Sequence, residues 1–229
     1  MSVQESPSPV GVEIARQQMI EQQLRTWDVL DVRVLDAVGR VRRENFVPAA
    51  YRNVAFADAQ IPLGNGRFML QPKVDGKILQ ILNIQAAESV LDIGTGSGYL
   101  AGCMGRLGAR VRSVEISAEL AANAMRNLDA AAINNVVVDV LDATTLTDEN
   151  RYAVIAITAA LPPDNDKLEQ RFGRALTVGG RMFVVIGAAP VMAAVKITRT
   201  TASHWQRETL FETVIEPLIN ARRPSAFAF

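Results

Sequence analysis

In the first third of the chain apolar residues recur at helical spacing. Ala15, Met19, Ile20, Leu24 and Trp27 form one such run and Val34, Leu35 and Val38 a second, with Asp31 placed to cap it. Ile78, Leu79 and Leu82 form a third, behind Pro72, a residue suited to the first turn of a helix. Beyond residue 85 the period changes. "ESVLDIG", "RVRSVEI", "NVVVDVL", "YAVIAITAA" and "GRMFVVIG" are short apolar runs of strand type. Among them lie "SGYLAGCMGRL", "SAELAANAMRNLDAAA", with Ser117 as its N-cap, and the amphipathic "DNDKLEQRFGRAL". This alternation predicts an α/β fold, a parallel sheet with helices on both faces. "AAVKITRTT" and "RETLFETVIEPL" break it, as two strands forming a hairpin around His204 and Trp205. The predicted organisation is a disordered Ser- and Pro-rich tail over 1–10, a helical extension over 11–85 and an α/β domain of about seven strands over 86–229.

Composition narrows the chemistry. The chain has 229 residues, with 24 Lys plus Arg against 24 Asp plus Glu, so no overall field recruits nucleic acid or an anionic membrane. The single cysteine, Cys103, excludes an intrachain disulfide, and with one histidine, His204, it leaves too few soft ligands for zinc. A reducing cytoplasm is the expected compartment. The start, "MSVQESPSPV", lacks the basic-then-apolar pattern of a signal peptide, and no apolar run is long enough to span a bilayer. Cys103 is expected to pack on the inner face of its helix and His204 to lie exposed in the hairpin turn.

Candidate chemistry begins at "VLDIGTGSGY", residues 90–99, which ends a strand and opens a helix. Gly94, Gly96 and Gly98 let the backbone approach a nucleotide-like ligand, and Glu115 ends the next strand, where its two oxygens suit a ribose diol. The spacing is G-x-G-x-G, and Asp92 stands two residues before the first glycine. A carboxylate there repels a pyrophosphate and suits a cationic sulfonium with an amino-acid tail, which favours S-adenosylmethionine, with S-adenosylhomocysteine as product, over nicotinamide or flavin. Asp142, after the third strand, is placed either to accept from an adenine amino group or to form a turn. Thr95, Ser97, Ile116 and Ala143 complete the expected cofactor set. The terminal strand hairpin fits a Rossmann-like, seven-stranded class I methyltransferase sheet.

With these segments in hand the chain resembles the protein-L-isoaspartate O-methyltransferase family over residues 17–218. "MIEQQLR" is similar to the family's opening helix, "VRRENFVP" to its Val-Pro-Arg-Glu-x-Phe-Val-Pro segment and "AFADAQIPLGNGRFMLQP" to its substrate loop. "VLDIGTGSGYLA", "AVIAITAALP" and "VIEPL" resemble its cofactor motif, its Val-Thr-Ala-Ala segment and its final Val-Pro-Leu. The resemblance implies esterification of the α-carboxylate of L-isoaspartyl residues in damaged proteins, the ester then collapsing to a succinimide. It also implies an acceptor side built from Asp58, Phe68, Met69, Leu70, Gln71 and Thr158.

The substrate loop departs from that pattern. The family's Gly-x-Thr-Ile-Ser-Gln-Pro becomes "GRFMLQP", so Phe68 and Leu70 stand where two hydroxyls are expected, and Phe56 replaces a tyrosine. Loss of a positioned donor costs on the order of 3 kcal/mol of transition-state stabilisation, so weak isoaspartyl activity is expected, or a small apolar acceptor in its place. Amine methylation is disfavoured, because "TAALPPDND" offers neither the polar acceptor nor the aromatic of an Asn-Pro-Pro-Tyr loop. Transfer RNA is disfavoured by the balanced charge. A non-catalytic module that binds S-adenosylmethionine and uses the extension or the tail "ARRPSAFAF" as an interaction surface is the remaining alternative. Composition leaves the oligomeric state open.

Overall fold

The computed structural model describes residues 9–163 and 166–221. The tail expected to be disordered lies outside the described residues as far as residue 8, and helix α1 (Pro9–Met19) starts ahead of the expected Gly11. The chain continues from α1 through a π-turn over Ile20–Leu24 and a 3-10 turn over Arg25–Trp27, and Asp28, with φ 55°, ends it. Helix α2 (Val32–Arg40) is capped as its sequence predicts, Asp31 accepting from the Arg33 amide. The glycine-rich loop is a hairpin, β1 (Ile61–Gly64) and β2 (Arg67–Met69), leading into α3 (Pro72–Leu82) with Pro72 in its first turn.

The remaining elements follow the predicted alternation. They are β3 (Ser89–Ile93), α4 (Tyr99–Arg106), β4 (Arg110–Glu115), α5 (Ala118–Ala130), β5 (Val136–Val140), β6 (Tyr152–Leu161), α6 (Asp166–Ala175), β7 (Leu176–Ala188), β8 (Val191–Thr201) and β9 (His204–Glu212). The main sheet has seven strands in the order β5-β4-β3-β6-β7-β8-β9. The first five are parallel, and β8 and β9 close the far edge antiparallel. From β3 the chain steps outward to β4 and β5, then crosses back to β6, so the order reverses between β3 and β6. Ligands of such sheets bind at the strand ends beside that reversal.

Strand alternation divides the interior into two cores. Val90 of β3 with Val154 and Ala156 of β6 face one side, where Leu24, Val34, Ile78, Leu79 and Met104 cover them. Leu91 and Ile93 with Ile155 and Ile157 face the other, against Leu168 and Phe172 of α6. The N-terminal helices thus share a continuous core with the sheet. Cys103 is fully buried in the first core, and His204 is exposed at the start of β9. Trp27 meets the ring of Phe211 edge-on at 5.3 Å, and Trp205 donates from its indole to the Gly173 carbonyl, so both tryptophans pack. Among the described residues no helix is long and apolar enough to cross a membrane.

Candidate functional site

The glycine loop forms at the C-terminal end of β3. Gly94 has φ 97°, and a Cβ there would come within 2.6 Å of Thr158 Oγ1, so the close approach of β3 and β6 admits glycine alone. Gly98 serves packing instead. It lies against Ala124 of α5, where a Cβ would meet that side chain at 3.1 Å, and it does not line the cavity. β6 answers with an irregularity: three of its residues lie between Ala156 and Ala160, where the paired stretch of β7, Phe183 to Val185, has one. This bulge turns Thr158 Oγ1 to 3.0 and 2.9 Å from the carbonyl oxygens of Ile93 and Gly94. The one hydroxyl proton is committed to those carbonyls, so Thr158 offers a carboxylate no donor.

Glu115 lies across the loop. Its Oε2 accepts from the Gly96 amide at 2.9 Å and its Oε1 from the Ser117 amide at 3.0 Å, which fixes the carboxylate and leaves each oxygen a further lone pair. Asp92 is 1% exposed and does not line the cavity. It accepts from Ser113 Oγ at 2.6 Å through Oδ2, the Ser113 and Thr95 hydroxyls lie 2.6 Å apart, and Oδ1 is buried with no partner among the described residues. Burial pushes the Asp92 carboxyl up to about 7, the Ser113 bond opposing and the charges of Glu115 and Asp75 adding. Asp142 caps a short 3-10 turn, its Oδ1 accepting from the Thr144 amide and hydroxyl and its Oδ2 from Asn220. Burial works against its charge, yet the Asn220 and Thr144 bonds hold it below the usual carboxylate range.

The hairpin forms the facing wall. Its tip is Asn65-Gly66, both residues at positive φ, the pair favoured in two-residue hairpin turns. Arg67, Phe68 and Leu70 line the cavity from β2 and the residue just beyond it, while Met69 lines a smaller neighbouring hollow. Leu70 is held by its backbone: the buried Arg43 guanidinium donates Nη2 to the Leu70 carbonyl, Nη1 to Asp75 Oδ2 at 2.6 Å and Nε to the Ala55 carbonyl at 2.9 Å. Burial pushes Asp75 up to about 6, with Arg43 pulling the other way. Asp58 and Gln71 stand apart from the cavity: Asp58 pairs with Lys73 at 2.6 Å, and Gln71 Oε1 is buried without a partner among the described residues.

Together these walls enclose about 760 Å³, open mouth included, lined also by Ile116, Leu141, Asp142, Ala143 and a C-terminal segment from Ile215 to Ile219. That segment is strapped to β6, Ala160 donating to the Glu216 carbonyl and the Leu218 amide to the Ala160 carbonyl, both at 2.8 Å. Of the residues expected at a cofactor, Gly94, Gly96, Glu115, Ile116, Asp142 and Ala143 share this cavity, Thr95 and Ser97 line the neighbouring hollow, and Asp92 lies sealed behind the loop. Gln60, Leu63 and Arg67 lie in the stretch expected as the substrate loop and Ile215–Leu218 in the "VIEPL" segment, but none was singled out as a site residue from the sequence. A bare glycine backbone, a fixed acceptor pair on Glu115, apolar walls at Ile116 and Leu141 and an unpartnered buried Asp92 oxygen suit a cationic, ribose-bearing cofactor.

A reversed parallel sheet with two antiparallel closing strands and this glycine cradle defines a Rossmann-like methyltransferase. A family model described as protein-L-isoaspartate(D-aspartate) O-methyltransferase matches residues 14–222, and the chain belongs to that family. It is 36% identical over 215 residues to a protein-L-isoaspartate O-methyltransferase of Koribacter versatilis, covering 93% of this chain and 95% of that one. It is 36% identical over 211 residues to the enzyme of that name from Aeropyrum pernix, covering 90% and 79%. A crystal structure described as a protein-L-isoaspartate O-methyltransferase of Plasmodium falciparum in complex with S-adenosyl-L-homocysteine shares the fold, with TM-score 0.76 at 16% identity over 89% of this chain and 97% of that one. A second structure of a protein-L-isoaspartate O-methyltransferase superposes with TM-score 0.72 at 22% identity, over 88% and 65%.

Proposed function

We propose that this chain transfers a methyl group from S-adenosylmethionine to the α-carboxylate of L-isoaspartyl residues in damaged cytoplasmic proteins or peptides. The observation that carries the reading is one cavity with the glycine cradle and Glu115 on one wall and the hairpin residues Phe68 and Leu70 on the other. Gly94, Thr95, Gly96, Ser97, Glu115, Ile116, Asp142 and Ala143 would hold the cofactor, with Asp92 behind the loop and Gly98 setting the helix that follows. The cofactor supplies an electrophilic methyl group. An acceptor carboxylate is already ionised at neutral pH, so the chain has no proton to remove and contributes alignment and exclusion of water. Phe68, Leu70, Ile215, Leu218 and Ile219 supply an apolar wall, and Arg43 fixes Leu70 by its backbone. The same apolar lining favours a second reading, in which a small apolar acid is methylated.

Transfer of labelled methyl from S-adenosylmethionine to an isoaspartyl peptide, beside the aspartyl isomer, tests the proposal, with S-adenosylhomocysteine binding measured in parallel. Turnover confined to the isoaspartyl peptide is expected. Glu115→Ala is expected to weaken cofactor binding about tenfold or more by removing charged acceptors. Cofactor binding with no turnover on either peptide would overturn the acceptor, and unaltered binding in Glu115→Ala would overturn the cofactor site.

A further inference from the structure

The acceptor wall carries no hydroxyl at Phe68 or Leu70, and the Thr158 hydroxyl, which lines the same cavity, is turned to the carbonyls of Ile93 and Gly94. Gln60 also lines the cavity, with its Nε2 donating to the Val214 carbonyl at 3.1 Å. Three carboxylates line it too. Glu115 and Asp142 are engaged as described, and Glu216 is exposed on the C-terminal wall. Among the described residues a single cation, Arg67, completes the lining. It is half-buried, its backbone is fixed opposite Gly64 in the hairpin, and among the described residues its guanidinium has no hydrogen-bond or ion-pair partner. Arg43, which holds the Leu70 carbonyl, is committed to three acceptors.

We propose that Arg67 binds the acceptor carboxylate, in place of the hydroxyls absent at Phe68 and Leu70. The inference rests on the carboxyl-methylating reading above and names the residue that selects its substrate. A planar guanidinium offers two parallel N–H donors that match a carboxylate, and an apolar surround strengthens the pair. Each carboxylate oxygen keeps a second lone pair, so the pairing orients the nucleophile without consuming it. Buried Leu70 and the more exposed Phe68 flank the pair with apolar surface that accommodates an apolar flanking group. The acceptor this wall selects is an unblocked carboxylate, and the matching carboxamide is refused because it presents an N–H group to the guanidinium.

Binding measured by calorimetry on the protein saturated with S-adenosylhomocysteine tests this without turnover. The probes are an isoaspartyl peptide and the same peptide with its α-carboxylate converted to carboxamide. The native chain is expected to prefer the carboxylate by about tenfold or more, Arg67→Met to lose that preference and Arg67→Lys to keep part of it. Affinity for S-adenosylhomocysteine is expected to stay unchanged in both variants. Retention of the preference in Arg67→Met, or its absence in the native chain, overturns the inference. So does a loss that brings an equal loss of S-adenosylhomocysteine binding, which would mark a disturbed fold. An Arg67-dependent preference without methyl transfer would leave this inference standing and remove the proposed function. Turnover with kcat/KM unchanged in Arg67→Met would do the reverse.

Discussion

Leu70 shows how a single residue carries two roles. Its side chain is 8% exposed and belongs to the core around α3, yet it also lines the cavity. Leu70→Ser is therefore expected to act in opposite directions on stability and rate. Removing a buried leucine costs about 2–4 kcal/mol, read by urea unfolding. A hydroxyl placed on the acceptor wall is expected to raise isoaspartyl methyl transfer about tenfold or more. A destabilised variant with unchanged kcat would assign Leu70 to packing alone. Residues 63–72 made the missing hydroxyls readable from sequence, and the same stretch contained Arg67. Its importance was not readable, because nothing in a sequence says which arginines find partners. Asp92 is the converse case: its position before the glycines was legible, its seclusion behind them was not.

At the scale of elements, Arg43 joins three segments that are far apart in sequence: the stretch ending at Ala55, the loop at Leu70 and helix α3 at Asp75. Its guanidinium also lies 4.9 Å from the ring of Tyr99, in the helix after the glycine loop. Breaking a buried ion pair by removing one partner leaves the other charge uncompensated, which costs about 3–5 kcal/mol. Arg43→Met is expected to destabilise by that amount in chemical unfolding. Adding Asp75→Leu should recover a large part of it, since an apolar pair carries no desolvation penalty; failure to recover would place the cost in the lost carbonyl bonds to Ala55 and Leu70. Helix starts at Asp31, Pro72 and Ser117 were legible because each depends on residues within one turn. The β6 bulge that aims Thr158 was not, since it arises from pairing with β3 and β7.

For the whole molecule the consequence is electrostatic. Asp92 and Asp75 are buried on the same side of the sheet, and both bind protons more tightly folded than unfolded, at about 7 and about 6. Between roughly pH 4, where such groups titrate in the unfolded chain, and those values, the unfolded state holds fewer protons. Stability is then fully present below the unfolded pKa and is lost as pH rises through the folded ones. Glu88, Asp31 and Asp142 are shifted the other way, and their contribution is lost only at more acid pH. The melting temperature is expected to decline from pH 4.5 to 7, and Asp92→Asn to flatten that decline, as followed by circular dichroism; an equal slope in the variant would remove Asp92 from the effect.

By itself the sequence determined the class of fold and the place of the cofactor loop, because period, caps and the glycine spacing are local and each element reports its own preference. It also determined that the acceptor loop carries no hydroxyl. Tertiary structure decided the rest. It turned that loop into a hairpin facing Glu115, brought Ile215–Ile219 over the cavity and buried Asp92, and among the described residues it left one Asp92 oxygen unpaired and Arg67 the single cation on the acceptor wall. Each of these depends on which groups remain unpaired once distant segments meet, a property of the packed chain that no local pattern encodes.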